Sequence, residues 1–277
     1  MKKPTVISFT SNKGGVGKSR LSILVSRCLA AAGNKVLVLD LDSSTHSLTN
    51  YFLVQNEDAL TKARKSHNTA MAVFDEQNNL VDYSLPTEYE NLYLIPFSRN
   101  LASLRTMEYT RLQKIISNTE KNIFDHIVID CAPGYDNIKI NAIRAADYNI
   151  TPCLQDNDSF DSAYDLLGHL VAEIEDKIPT WFITINGYNK RWEEAESGKQ
   201  KEYITRYEET FKGHVTPRSC WLPWTADINV INDRKKLLSS ESCNPNTVKN
   251  PSLYSAICNL SECFLDENTE LNRPEFF

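Results

Sequence analysis

A short glycine-rich stretch near the amino terminus carries residue types that could hold phosphate groups. Residues 13–19 read KGGVGKS, after an apolar run and before an amphipathic one. Glycines between a strand and a helix let successive backbone N–H groups turn toward an anion, and the helix N-terminus adds its partial positive charge. Lys18 can then reach the β and γ phosphates of a nucleotide, and the Ser19 hydroxyl can ligate Mg²⁺. We expect the nucleotide to contact Gly14, Gly15, Val16, Gly17, Lys18, Ser19 and Arg20.

The stretch departs from the common phosphate-loop pattern GxxxxGK[ST] at its front. Asn12 stands where that pattern has its first glycine, and a second lysine, Lys13, follows it. This arrangement resembles the deviant Walker A motif of the ParA/MinD family of P-loop ATPases. From average residue usage, a chance match in a chain of this length is on the order of one in 10⁴. The resemblance is therefore favoured over a glycine turn with two solvated lysines.

The front lysine bears on the oligomeric state. In the ParA/MinD family this lysine reaches across a nucleotide-sandwiched dimer to phosphates bound by the partner subunit, and the resemblance gives Lys13 that role. One lysine is enough to match a phosphate charge within its own loop. A second at the rim is best explained by a bridge between subunits, which makes dimerisation depend on nucleotide. The resemblance thus implies an ATP-dependent homodimer; simple solvent exposure of Lys13 is the alternative.

Aspartates end two apolar runs, at 36–42 (VLVLDLD) and at 124–130 (FDHIVID). The resemblance places Asp42 in switch I, where it orients the attacking water. It places Asp40 beside the phosphates, near Mg²⁺, and gives Asp130 contact with Mg²⁺ through water. A turn or a helix cap is the alternative for either strand-end aspartate taken alone. The expected catalytic residues are Lys13, Lys18 and Asp42, and the expected metal residues are Ser19, Asp40 and Asp130.

Two loops resemble the switches of the family. Ser43 and Ser44 stand where the family commonly has Pro-Gln, which leaves the switch I conformation and the hydrolysis rate open. Gly134 would let switch II sense the γ-phosphate. Phosphoryl transfer needs positioning and charge neutralisation more than covalent chemistry. The resemblance implies ATP hydrolysis that is slow until a partner protein stimulates it.

Two later stretches resemble the adenine contacts of the family. Residues 181–186 (WFITIN) resemble the late strand whose terminal asparagine hydrogen-bonds adenine, which gives that role to Asn186. Asn189 is close enough to be a rival, and an Asn-Gly turn is the alternative. Residues 215–228 resemble a region that contacts the base, but with altered residues, and only Pro217 is carried over.

Strands and helices alternate along the chain, and this alternation positions the candidate residues. Such alternation predicts an α/β fold with a mostly parallel central sheet flanked by helices on both faces. Ligands of these folds lie at the carboxyl ends of the strands, where the glycine loop and both aspartates meet. We expect one P-loop ATPase domain over residues 1–277. The expected strands are 6–9, 36–39, 92–95, 127–129, 148–151 and 181–185, with helices at 19–32, about 100–118 and about 160–175, and a surface loop over 186–201 that leads into a helix.

Composition excludes several classes of protein. The net charge of -6 over 277 residues argues against a surface built entirely to clamp nucleic acid. Seven cysteines without a CxxC pair suggest neither a disulfide framework nor a zinc site, and Cys131 and Cys153 show no recognisable loop for an iron-sulfur cluster. The twelve tyrosines form no terminal cluster like that of the related tyrosine kinases. No run approaches the roughly 18 apolar residues of a membrane span, so we expect a cytoplasmic protein.

The resemblance leaves two functions open. The first is a ParA-type partition ATPase whose ATP dimer binds DNA non-specifically on the nucleoid. A centromere-binding partner of ParB type stimulates its ATP hydrolysis. Residues 185–236 carry ten Lys or Arg and eight Asp or Glu, a local balance of +2 that could serve DNA. A solvated mixed-charge face is the alternative. The candidates are Lys190, Arg191, Lys199, Lys201, Arg206, Lys212, Arg218, Arg234, Lys235 and Lys236.

The second function is a MinD-like positioning ATPase that binds membrane through a C-terminal amphipathic helix. Leu253, Ile257, Leu260 and Phe264 could form its apolar stripe. Residues 250–272 contain no Lys or Arg, however, and several acids, the wrong polar face for anionic lipid. We therefore expect this stripe to pack against the core and do not expect membrane binding.

Overall fold

The computed structural model describes most of the chain. The described residues are 3–42, 47–53, 56, 58, 61, 70–74, 79–98, 101, 107–119, 123–189, 199–223 and 251–263. Among them, no helix is both long and apolar enough to cross a bilayer.

Eight strands form one central sheet in the order β3-β4-β2-β5-β1-β6-β7-β8. All neighbouring strands in this order are parallel except β3 and β4. The predicted mostly parallel sheet is confirmed. The strands are β1 (Thr5–Phe9), β2 (Val36–Leu41), β3 (Leu85–Pro86), β4 (Leu92–Ile95), β5 (His126–Cys131), β6 (Tyr148–Cys153), β7 (Trp181–Tyr188) and β8 (Leu222–Pro223).

Helices cover both faces of the sheet. They are α1 (Lys18–Ala31), α2 (Ser47–Leu53), α3 (Ala70–Val73), α4 (Leu80–Tyr83), α5 (Arg111–Asn118), α6 (Asn137–Ala145), α7 (Asn157–Glu173), α8 (Lys199–Thr210) and α9 (Pro251–Glu262), with 3₁₀ helices at Glu175–Thr180 and Arg218–Cys220. On one face α1, α2 and α9 pack on residues such as Phe9 and Val38. Because side chains alternate along a strand, Leu39 and Ile129 point to the other face, where they meet α5 and α6. A separate cluster forms around Ile183, on which α7 and α8 pack.

Two predicted boundaries are wrong. The loop expected from residue 186 begins later, because β7 continues to Tyr188, where pairing with β8 extends it. The sequence alone does not reveal β8, because this partner strand has only two residues. The helix expected from about residue 100 begins at Arg111 among the described residues; residues 107–110 form a bend and a turn before it.

The apolar stripe near the C-terminus packs into the core as predicted. Leu253, Ile257 and Leu260 of α9 are each at most 1% exposed and join the cluster that includes α1. Phe264, the fourth residue of the predicted stripe, lies outside the described residues. The face of α9 that could have bound lipid is therefore occupied by the protein itself.

Candidate nucleotide-binding site

The phosphate loop joins the end of β1 to the start of α1. Gly15 and Gly17 have φ angles of 76° and 102°, in the left-handed region that favours glycine. A Cβ on Gly17 would also lie 2.4 Å from Asn186 Nδ2. The same Asn186 amide donates a hydrogen bond of 2.8 Å to the carbonyl oxygen of Val16. The loop is thus held against the end of β7, and both its backbone conformation and the nearby Asn186 side chain favour glycine at position 17.

Lys18 lies inside this loop. Its Nζ donates a hydrogen bond of 3.0 Å to the carbonyl oxygen of Lys13, and the residue is 5% exposed. Burial lowers the pKa of Lys18, while the carboxylates of Asp130 and Asp42 oppose that shift. The structure therefore brings together the loop lysine and two of the three aspartates that the sequence singled out.

Asp130 is the most unusual carboxylate of the site. It is fully buried, and burial together with the charge of Asp40 raises its pKa to about 8. Ser22 Oγ donates a hydrogen bond of 3.3 Å to Asp130 Oδ1, and the Ser19 side chain also hydrogen-bonds the carboxyl group. Within the described residues, Oδ2 has no hydrogen-bond partner. A buried carboxylate oxygen without a partner, next to a serine hydroxyl, is the oxygen-donor chemistry that Mg²⁺ prefers.

Asp40 lies directly opposite Asp130 in the register of β2 and β5, but both of its oxygens are engaged. Oδ1 accepts a hydrogen bond of 3.1 Å from the backbone N–H of Asp42, and Oδ2 accepts from the backbone N–H and the hydroxyl of Thr49. Phe97 N–H in turn donates to Thr49 Oγ1 over 3.0 Å. Burial raises the pKa of Asp40 to about 7, and the hydrogen bonds that Asp40 accepts from Thr49 and Asp42 oppose the shift. Asp40 here anchors the backbone of Asp42 and Thr49.

Lys13 stands at the rim of the loop in an ion pair. Its Nζ lies 2.8 Å from Asp156 Oδ1 and 3.8 Å from Asp158 Oδ2. Asp156 is also the N-cap of α7, because Oδ1 accepts the backbone N–H of Ser159 over 2.7 Å. Burial would raise the pKa of Asp156, but the hydrogen bonds from Lys13 and Ser159 hold it below its usual range. Lys13 is therefore paired within its own chain and not simply solvated.

The other predicted nucleotide contacts lie around the loop. Asn186 Oδ1 is buried without a hydrogen-bond partner in the described part of the chain, and Asn189 follows the end of β7. Pro217 is exposed at the start of a 3₁₀ helix, and the preceding Thr216 N–H donates to Ile183 O of β7 over 2.8 Å. Arg20 is exposed in the first turn of α1. The adenine roles of Asn186, Asn189 and Pro217 stay predictions.

Three residues of the site were not predicted from the sequence. Thr49 and Lys139 follow no spacing rule; Lys139 stands between two isoleucines on α6 and bonds the segment that enters the phosphate loop. Asp156 had a local signal, because an aspartate three residues before Ser159 is a common helix N-cap pattern. That signal predicts the cap but not the contact with Lys13.

The basic residues proposed for DNA differ in their surroundings. Arg206 lies 3.6 Å above the ring of Phe160 and 3.7 Å from Asp161, and Arg218 pairs with Glu208 at 3.1 Å. Lys201 and Lys212 are exposed on and just after α8. Lys199 begins α8. Lys190, Arg191, Arg234, Lys235 and Lys236 lie outside the described residues.

A family profile described as an AAA domain matches residues 4–180, which include the phosphate loop, all three aspartates and α6 and α7. The chain belongs to this family, the ParA/MinD group of P-loop ATPases. Among curated proteins, the sporulation initiation inhibitor protein Soj of Bacillus subtilis is 29% identical over 156 residues, which is 53% of this chain and 57% of Soj. The chain spans about half the length of the curated relatives it matches.

Solved structures of ParA/MinD proteins share the fold over nearly the whole chain. A plasmid partition protein from Borrelia burgdorferi bound to AMPPNP has a TM-score of 0.70 at 23% identity and covers 94% of this chain and 100% of its own. The septum site-determining protein MinD from Pyrococcus horikoshii with Mg-ADP has a TM-score of 0.67 at 20% identity, and the alignment covers 95% of this chain and 96% of MinD. At these identities the likeness establishes the fold alone.

Proposed function

We propose that this member of the ParA/MinD family is a ParA-type ATPase that drives plasmid or chromosome partition. It binds ATP with Mg²⁺ at the phosphate loop, and two copies dimerise on the nucleotide. The ATP dimer binds DNA non-specifically on the nucleoid, and a ParB-type partner stimulates a slow hydrolysis. The relatives named for sporulation control, plasmid partition and septum placement support an ATPase of this class.

The observation that carries the proposal is the position of Lys13. Lys18 already donates inside the loop, so the loop's own charge-matching lysine is in place. Lys13 instead lies at the rim, with 23% of its side chain exposed, in an ion pair whose carboxylate is 43% exposed. Partly exposed ion pairs contribute only about 0–1 kcal/mol. A phosphate carried by a second copy can therefore displace Asp156 from Lys13 at little cost, and ATP becomes the link between the copies.

The residues of the site divide the work of hydrolysis. Ser19 and Asp130 Oδ2 would hold Mg²⁺, which when bound supplies charge neutralisation at the phosphate oxygens. Lys18 neutralises further charge from within the loop. Asp40 holds the backbone of Asp42, so that the Asp42 carboxylate can orient a water. In this proposal Asp40 acts by supporting Asp42, and its place near Mg²⁺, expected from the sequence, stays a prediction.

Nucleotide-dependent dimerisation is tested by measuring molar mass in solution. Light scattering after gel filtration, with Mg²⁺ and either a non-hydrolysable ATP analogue, ADP or no nucleotide, should show a dimer only with the ATP analogue. Lys18→Ala should abolish nucleotide binding in calorimetry. Lys13→Ala should bind nucleotide but stay monomeric, while Lys35→Ala, which alters another exposed lysine, should behave as the wild type. A wild-type protein that stays monomeric with saturating analogue contradicts the proposal.

DNA binding and membrane binding are separated by a second experiment. With the ATP analogue, the protein should shift non-specific duplex DNA, and this affinity should fall steeply with salt. The double variant Lys201→Ala, Lys212→Ala should bind more weakly, while Lys35→Ala should not. Sedimentation with anionic vesicles should recover no protein, because the apolar stripe of α9 is packed in the core. Recruitment to vesicles without DNA binding would favour the MinD-like alternative.

A further inference from the structure

Lys139 is a buried lysine to which neither the fold nor the proposed hydrolysis assigns a task. It lies in the first turn of α6 and is 2% exposed. Its Nζ donates hydrogen bonds of 2.8 Å to the carbonyl oxygen of Ser11 and 3.1 Å to Asn12 Oδ1. An ammonium group is costly to bury unless its hydrogen bonds are satisfied. These two contacts therefore fix Lys139 on the segment that enters the phosphate loop.

Asn12 receives a second contact from the loop that follows β5. The backbone N–H of Gly134 donates to Asn12 O over 3.1 Å. Asp136 caps α6 by accepting the backbone N–H of Lys139 over 3.0 Å, so Lys139 is itself joined to that loop. The backbone carbonyl of Asn12 thus accepts a hydrogen bond from Gly134, and the side chain of Asn12 accepts one from Lys139. Glycine, which the common phosphate-loop pattern has at this position, would lack the second contact.

The surroundings of Lys139 favour a contact that depends on geometry. Burial lowers its pKa to about 8; the charge of Asp136 opposes this shift, and that of Lys18 adds to it. The lysine remains a hydrogen-bond donor on both sides of that value, since an amine still has two N–H groups. Lys139 therefore contributes by holding the loop that follows β5 at a fixed distance from the segment that enters the phosphate loop.

We propose that Lys139 is a positioning residue that couples the loop following β5 to the phosphate loop through Asn12. For its effect on nucleotide, this inference rests on the proposed function. A γ-phosphate that moves Gly134 also moves the first turn of α6, and Lys139 carries this displacement to Ser11 and Asn12. Lys139 thereby sets how strongly the site distinguishes a nucleoside triphosphate from a diphosphate.

The coupling is testable without nucleotide by amide hydrogen exchange. Lys139→Met keeps an apolar chain of similar length but removes the donor. Exchange in residues 132–138 of the nucleotide-free protein should rise by roughly five- to tenfold, because one or two buried hydrogen bonds are lost. Lys177→Met is the matched control, since Lys177 bonds the carbonyl oxygen of Ala146 at the other end of α6 over 2.8 Å. It should leave this exchange unchanged.

If Lys139→Met does not fold, Asn12→Ala provides the test. In that variant Lys139 still has the carbonyl oxygen of Ser11 as an acceptor. Asn12→Ala should raise exchange in the same segment, and the double variant should add little to either single one. In calorimetry, the ratio of ADP to ATP-analogue dissociation constants should fall severalfold in both variants. Unchanged exchange in folded Asn12→Ala and Lys139→Met overturns the inference. A wild type that binds no nucleotide overturns the proposed function instead, and the exchange result still decides the coupling.

Discussion

Asp40 and Asp130 face each other across adjacent parallel strands, yet among the described residues only Asp40 has hydrogen bonds to both carboxylate oxygens. Asp40 accepts three hydrogen bonds from Asp42 and Thr49. Asp130 keeps one buried oxygen without a hydrogen-bond partner among the described residues. Two carboxylates at the same level of the sheet thus have different tasks. Asp40 holds the backbone of Asp42 and Thr49, and we propose that Asp130 takes a ligand that brings positive charge.

Asp130 should destabilise the nucleotide-free protein at neutral and higher pH. Its pKa is raised to about 8 in the folded chain, so its contribution to stability is full below about pH 4 and is lost as pH rises toward 8. Asp130→Asn removes the charge and should be more stable than the wild type at pH 8 by about 1–3 kcal/mol, with a difference that shrinks toward pH 5. Urea unfolding at pH 5, 6.5 and 8 measures this.

Mg²⁺ supplies the control for that comparison. At pH 8 it should stabilise the wild type, because the cation would bind Asp130 Oδ2, and it should have little effect on Asp130→Asn. A stability difference that stays constant over the pH series, or equal stabilisation of both proteins by Mg²⁺, would contradict the assignment of Asp130.

Thr49 should be needed for the arrangement around Asp40. Thr49→Val keeps the shape of the side chain but removes the hydroxyl that donates to Asp40 and accepts from Phe97 N–H. The expected cost is about 1–3 kcal/mol in urea unfolding, because two buried groups lose a partner. ATP turnover should also fall, since Asp42 is positioned through Asp40. Thr49→Ser keeps the hydroxyl and should remain close to the wild type in both measurements.

Release of Lys13 from Asp156 should favour the dimer. Asp156→Asn removes the charge but keeps a good N-cap for α7, so the helix should persist. Because each partly exposed ion pair contributes about 0–1 kcal/mol and a dimer releases two of them, dimerisation with the ATP analogue should tighten by up to about 30-fold in analytical ultracentrifugation. Asp158→Asn alters the more distant and more exposed carboxylate and should have a smaller effect. Weaker dimerisation of Asp156→Asn would mean that Asp156 serves the dimer directly.

The sequence predicts the parts of this site that depend on local spacing. Glycines and lysines within seven residues define the phosphate loop, and the apolar run at 92–95 coincides with β4. The meeting of Asp40 and Asp130 follows from a general rule, because parallel strands end at the same edge of a sheet. These features need no knowledge of which distant residues touch.

The residues that the sequence did not reveal act across long distances in the chain. Lys13 meets Asp156 across 143 positions, and Lys139 meets Ser11 across 128. Such contacts depend on how α6 and α7 return to the edge of the sheet, which no local pattern encodes. The hydrogen bonds between Asp40 and Thr49 span only nine positions, but they too depend on where α2 places Thr49.

The packing of α9 on α1 should be detectable by thiol oxidation. Cys28 of α1 and Cys258 of α9 have their Sγ atoms 3.7 Å apart, and both are partly exposed. Diamide should therefore join them in a disulfide, identified by peptide mass after digestion without reductant, and Cys28→Ser should abolish this peptide. If α9 instead leaves the core to bind lipid, anionic vesicles should slow the oxidation. Unchanged oxidation with vesicles supports the packed helix, whereas a wild type that forms no such disulfide contradicts it.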